Sequence, residues 1–376
     1  MKTKIRRNSM NTRKTKFFLV LFGSLTVLTA SGCAIGKNRE VKKAVEAELN
    51  QLKTSEPQAI AESINARHLL PDSLDSDAVS QDIADVFTLF YEDFSFRVKK
   101  ITVDDDRATA RTGIVTLDSK ALAKDFTAAA LKQHIEHSAA STDSELSMEE
   151  CYLILKDLLQ TGEYKTKTET LDIDLKKKED TWQVVHTPEL DNLLTGNFLS
   201  HVTDPNLLPP SKIVEIHFDA IKNFEPEQLK NYLCLDKVLD ETDSHNLEIA
   251  DALAEQIGLL FDYEITDEAI KNGKAVVHAS VTSADIHSIV DAYQAELEPW
   301  LKTSDALAAG SLGRYDKTRE MMVSAIRNNK ATASNDIEIY LINDGVNWKI
   351  QMTSEIAYAV FGDIQEAMDS IDPTAQ

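Results

Sequence analysis

Residues 94–118 align without a gap onto residues 261–285, and this internal repeat constrains the fold more than any other feature of the chain. Phe94, Phe96, Val98, Ala108, Ala110, Ile114 and Asp118 meet Phe261, Tyr263, Ile265, Ala275, Val277, Val281 and Asp285 at a constant offset of 167. A second block follows at an offset of 166, where Leu171, Ile173 and Leu175 meet Ile337, Ile339 and Leu341. Trp182, Val184, Thr187, Glu189 and Gly196 then meet Trp348, Ile350, Thr353, Glu355 and Gly362. The period is far too long for a solenoid repeat, so each copy is expected to fold as a domain around its own core.

Pro205, Pro209 and Pro210 mark the joint, because proline continues neither a helix nor a central strand. The expected organisation is a signal peptide over 1–32, a tether over 33–40, a first repeat over 41–203, a proline-rich linker over 204–210 and a second repeat over 211–372. A joint of this kind predicts copies that unfold independently. Periodicity supplies the elements inside each copy. A helix over Val41–Lys53 matches Ser211–Phe224, and a short one near Pro57–Ala66 matches Pro226–Leu233. A third helical face carries Val79, Ile83, Val86, Phe87 and Phe90, matched by Ile249, Leu253, Ile257 and Leu260. Two hairpins are expected per copy, turning at Asp104–Asp106 and Lys178–Asp180, then at Lys271–Gly273 and Asp344–Gly345. A pair of helices separates the hairpins (121–137 and 147–161, then 285–302 and 315–328), and a short helix closes each unit over Pro188–Phe198 or Ser354–Met368.

Helices first, then hairpins, then a late strand opening on Trp182/Val184 or Trp348/Ile350: this order resembles the nuclear-transport-factor-2-like α+β cone. Duplicated lipoproteins of Gram-positive-type bacteria look similar. The fold expected is α+β, with two tandem cone-like domains, each packing helices on a curved antiparallel sheet made of two hairpins. Strand order stays open at this level.

The first 33 residues point to an address. Lys2, Lys4, Arg6, Arg7, Arg13, Lys14 and Lys16 precede a twelve-residue apolar run, Phe17 to Leu28, and Ala30-Ser31-Gly32-Cys33 follows. A basic flank, a short apolar segment and small residues are the layout of an export signal. Twelve residues span only about 18 Å as a helix, against roughly 30 Å of hydrocarbon, too short for a stable membrane span. The Ser-Gly-Cys ending resembles the lipobox of bacterial lipoprotein signals, although Ala30 stands where that motif usually has a branched aliphatic residue. The resemblance implies that Cys33 is lipidated and that the protein sits on the extracytoplasmic face of the cell membrane. Residues 1–32 carry seven basic and no acidic side chains, which leaves 33 basic against 62 acidic residues and a net charge of −29. Such a surface repels nucleic acid and anionic headgroups, so attachment falls to acyl chains on Cys33, and two chains suffice where one does not.

Cys151 and Cys234 read as core-facing free thiols, since they fall at non-equivalent places in the two copies. The inward parity of the strands carries Phe94, Phe96, Val98, Thr112, Trp182, Val184 and His186 in one copy. The other copy carries Phe261, Tyr263, Ile265, Ala279, Trp348, Ile350 and Met352. Neither face holds a carboxylate, whereas a catalytic cone needs a base and a donor converging in an apolar pocket. His186 and Tyr263 are therefore the pocket candidates, and His186 is expected to hold one backbone partner. His134 and His137 share a helix but lack a third ligand at metal spacing. Asp104–Asp106 lacks the rest of a calcium loop, and no phosphate-cradling glycine motif occurs. No cofactor or metal is expected. The function expected is a non-enzymatic binding or scaffolding module with a protein partner in the envelope or a small apolar ligand. The rivals are an isomerase- or hydrolase-like envelope enzyme using His186 or Tyr263 as donor, and a solute-capture lipoprotein.

Overall fold

The computed structural model describes residues 25–53, 69–70, 80–140, 145–235 and 244–362. Expectations for the signal residues 1–24, the helix near Pro57–Ala66, the Val79 end of the third helix and the chain beyond 362 fall outside the described residues. Two sheet–helix units follow one another in a mixed α+β architecture. The first comprises α1 (Leu25–Gln51), α2 (Gln81–Phe90), β1 (Ser95–Asp104), β2 (Arg107–Leu117), α3 (Ser119–Ala139), α4 (Met148–Thr161), β3 (Thr166–Lys178), β4 (Thr181–Val184), α5 (Pro188–Leu194) and α6 (Phe198–Val202). The second comprises α7 (Pro210–Asn223), α8 (Pro226–Tyr232), α9 (Ser244–Leu260), β5 (Asp262–Lys271), β6 (Lys274–Ala284) and α10 (Ile286–Leu301). It continues with α11 (Ser304–Ala308), α12 (Gly310–Asn328), β7 (Thr332–Asn343), β8 (Trp348–Ile350) and α13 (Ser354–Phe361).

The first helix differs from its expectation. It starts at Leu25 rather than Val41, so the segment 33–40, expected as a tether, is helical. Lys37 to Glu40 contains no proline, and Gly36 weakens a helix by about 1 kcal/mol without ending it. Cys33 falls within this helix, and its side chain lies outside the described residues. No helix among the described residues is long and apolar enough to cross a membrane.

Local chemistry explains most boundaries, and the duplication preserves it. Thr187 and Thr353, equivalent by the repeat, both cap the closing helix by accepting a backbone N–H three residues on. The capping box of Ser147 and Glu150 starts α4. Asn272 (φ 53°) and Gly273 (φ 70°) give the β5–β6 hairpin two consecutive left-handed residues, and Glu179 and Asp180 do the same between β3 and β4. Gly196 and Gly362 are both left-handed, and a Cβ on either would meet a neighbour at 2.2 Å.

Each sheet is an antiparallel meander, in the orders β1-β2-β3-β4 and β5-β6-β7-β8. Strand β3 returns beside β2 after the two intervening helices, with eleven residues of unbroken register from Arg107↔Lys176 to Leu117↔Thr166. A β-bulge is duplicated as well: Lys99 in β1 and Thr266 in β5 have no cross-strand partner and sit 167 residues apart. Each bulge bends its strand and shifts the inward parity beyond it. The expected inward face holds over the long strands, with Ala108, Ala110, Thr112, Ile114, Leu171, Ile173 and Leu175 buried, and Ala275 to Val281 and Ile337 to Leu341 alternating likewise. Trp182 and Trp348 are both buried. Helix α1 lies across β1, β2 and β4, and α7 lies across β5, β6 and β8.

The prolines do not keep the units apart. Helix α3 of the first unit packs on α7 and α8 of the second. Ile135 of α3 is 2 % exposed and belongs to the second unit's core, with Leu131 and Ala128 against the same cluster. Asn231 Nδ2 donates to the Ala139 carbonyl at 3.0 Å, satisfying one of the orphan acceptors at the end of α3. The linker is pinned too, since Leu207 and Leu208 are buried and Asn343 Nδ2 donates to the Pro205 carbonyl at 2.9 Å. Coupled units are the consequence. Ile135→Ala is expected to cost about 2–5 kcal/mol and to split one calorimetric unfolding transition into two. An unchanged single transition in that variant would show that the seam carries no stability.

Candidate functional site

His186, just past β4, is held from both sides. Its Nδ1 lies 2.9 Å from Asp191 Oδ1 of α5 and its Nε2 lies 3.1 Å from Glu48 Oε1 of α1. The single backbone partner expected for it gives way to two carboxylates, which the helices supply rather than the strands. The Glu48 hydrogen bond, helped by Asp191 and opposed by burial, raises its pKa above the ordinary histidine value. An imidazolium donating both N–H groups to carboxylates has no nitrogen left to accept a proton. It is a clasp between α1 and the start of α5.

Tyr263 is a second clasp. Its hydroxyl donates to Asp219 Oδ1 on α7 at 2.7 Å. Burial first, and then that carboxylate, push its pKa up. The inward faces, expected to carry no carboxylate, hold one beyond the bulge at Thr266: Glu268 lies opposite buried Val277, and its Oε2 accepts the Ser211 N–H at 3.0 Å. Helices α1, α5 and α7 bring Glu48, Asp191 and Asp219 within reach as well. The structure does not bring His186 and Tyr263 together: each ties helix to sheet within its own unit.

Other expectations are corrected. Met352, aligned with His186, is 74 % exposed, because β8 ends at Ile350 and the strand alternation ends with it. Cys234 is exposed in a left-handed turn after α8, where it follows the last helical residues instead of their buried face; Cys151 is half-buried. His137 Nε2 lies 3.5 Å from Glu150 on α4, while His134 faces the other way towards a cavity described below. Among the described residues no three metal-ligating side chains converge. Asp104–Asp106 forms the β1–β2 turn, with Asp105 left-handed.

The site that strand parity missed lies at the seam. A cavity of about 870 Å³ opens between α3 of the first unit and α7, β8 and α13 of the second, with the linker residues Leu207 and Leu208 in its wall. That volume is in the range of small-molecule sites. Its walls are mainly aliphatic and aromatic: Leu131, Ile213, Phe218, Ile221, Trp348 and Val360 are among them. One corner is polar. His217 Nδ1 and the Tyr232 hydroxyl are 2.6 Å apart, with the two rings stacked. Burial, with His134 and Lys349 adding positive charge, lowers the His217 pKa to about 4. Burial also pushes Tyr232 up to about 12, so its O–H stays protonated at neutral pH. Asn347 contributes a buried Oδ1 with no hydrogen-bond partner. A sequence signal existed for one wall only, in the helical spacing of Ile213, His217 and Ile221 on α7.

No family model matches the chain, and no curated protein matches it. Among solved structures it is similar to a Bacillus subtilis chain, ycdA, named as a lipoprotein candidate: 11 % identity, covering 71 % of this chain and 95 % of that one, at a TM-score of 0.30.

The two histidines have opposite linkage. The folded pKa of His186 lies above its unfolded value of about 6.5, so its contribution is complete below that pH and is lost as pH rises through the raised value. The folded pKa of His217, about 4, lies below it, so stability falls as pH drops from about 6.5 towards 4, by up to about 3 kcal/mol. Denaturant unfolding across this range is expected to show a shallower acid loss in His217→Gln. His186→Gln is expected to lack the alkaline decline. Parallel curves for wild type and both variants would contradict the assignment.

Proposed function

We propose that this protein is a lipid-anchored module on the extracytoplasmic face of the cell membrane that binds an apolar molecule at the seam of its two units, without catalysis. The observation that carries the binding reading is the apolar cavity between α3, α7, β8 and α13. The anchor reading rests on the signal layout ahead of Cys33. The cone reading of each unit rests on its order of helices and hairpins. The non-enzymatic reading draws support from His186 and Tyr263, whose polar atoms are committed to Glu48, Asp191 and Asp219 and which lie off the cavity. A cavity built between two units also favours the solute-capture reading over a scaffold that works only through its outer surface.

Two measurements test this. In cells, mature protein is expected to carry diacylglycerol on Cys33, and Cys33→Ala to carry none. Intact-mass spectra showing a mature chain that starts elsewhere would remove the anchor. A naphthylamine dye is expected to bind wild type saturably, and Ala130→Phe, which extends a ring into the cavity from α3, is expected to weaken binding at least tenfold with little change in melting temperature. Equal dye binding in both proteins would move the site elsewhere.

A further inference from the structure

The cavity is amphipathic, with one polar corner in a mainly apolar wall. Tyr232 has no acceptor other than His217 Nδ1 among the described residues, so its O–H donates there. The neutral imidazole then carries its proton on Nε2, which pairs with no described residue. Lys349, exposed and also on the cavity wall, forms no salt bridge among the described residues, although its charge helps to lower the pKa of Asp344. Asp344, nearby, is committed to the backbone N–H groups of Val346 and Asn347. Asp204, the acidic side chain on the wall, accepts the Asn206 N–H in its own turn. His134 adds a second basic group on the α3 side. Lys349 gives this end of an otherwise apolar cavity a positive charge, beside the neutral His217.

We infer that the cavity takes a single-chain acyl amphiphile, its chain among Leu131, Ile213, Ile221 and Val360 and its carboxylate or phosphate oxygens on His217 Nε2 and the Lys349 ammonium. Burying its methylenes removes apolar surface from water, so the chain supplies affinity. The head supplies selection, since hydrogen bonds to a charged group are stronger than those between neutral groups. This inference rests on the cavity being a ligand site, and the experiment separates the two.

Full-length protein in lipid nanodiscs is photolabelled with diazirine-bearing dodecanoate, dodecyl phosphate, dodecanol and dodecylammonium, and the adducts are mapped by peptide mass spectrometry. The oxyanion probes are expected to label the α7 and α13 peptides about tenfold more than dodecanol, with dodecylammonium weakest. The two oxyanion arms distinguish a fatty acid from a phosphate-headed lipid. Lys349→Gln and His217→Phe are expected to bring oxyanion labelling down to the alcohol's level. Unchanged dodecanol labelling in those variants shows that the cavity has kept its shape. Equal labelling by all four heads, or a preference for ammonium, overturns the inference and leaves the apolar site standing. If no probe labels the cavity, the proposed function itself fails. Loss of dodecanol labelling in both variants, too, would overturn the assigned roles, because the corner would then be structural.

Discussion

The contact of α3 with α7 and α8 is the interaction on which the rest of this protein depends. Without it the chain is two similar units in series. With it, Ile135 completes the core of the unit that does not encode it, and Asn231 satisfies the carbonyl of Ala139 across the seam. The same contact supplies one wall of the cavity, because Thr127, Ala130, Leu131 and His134 line it from α3. Core packing and site construction are one event here. A side chain lost from the seam therefore alters both stability and the cavity, since close-packed interiors relax only partly around a deletion.

Duplication preserved backbone devices and released side-chain chemistry. The bulges at Lys99 and Thr266, the caps at Thr187 and Thr353 and the glycines Gly196 and Gly362 recur in register. Each answers a geometric demand of the sheet or of the helix end, and neither unit can close without them. The polar pairs follow no such rule. His186 bridges Glu48 and Asp191 in the first unit, while its equivalent Met352 is exposed. The second unit instead joins Tyr263 to Asp219, and His217 to Tyr232. Once a helix is fastened to a sheet, any well-satisfied polar pair can hold it, so the particular pair drifts.

The strand pattern was legible because side chains alternate strictly, and burial follows the alternation wherever the ladder is regular. It failed beyond the bulge of β5, where Glu268 turns inward, and at the strand ends. Met352 lies two residues past β8, where no partner strand fixes which way a side chain points. Helix partners were illegible for another reason. Glu48 and His186 are 138 residues apart, and nothing in local periodicity announces that α1 crosses β4 at that height. Cys234 is exposed because the left-handed turn after α8 rotates it away from the side on which Leu235 is buried and Leu233 half-buried.

The amino-acid sequence by itself determined the two-copy plan, the α+β class, the hairpins and the inward faces, since these follow from spacing, turn chemistry and parity within short windows. Only the tertiary structure decided the meander order, the coupling of the units through α3 and the carboxylates around His186 and Tyr263. It also decided where the cavity lies. That space is bounded by residues from both units and by the linker, and each wall is a locally unremarkable apolar face. A hollow between faces belongs to none of them, so it exists only once long-range packing has set their distance.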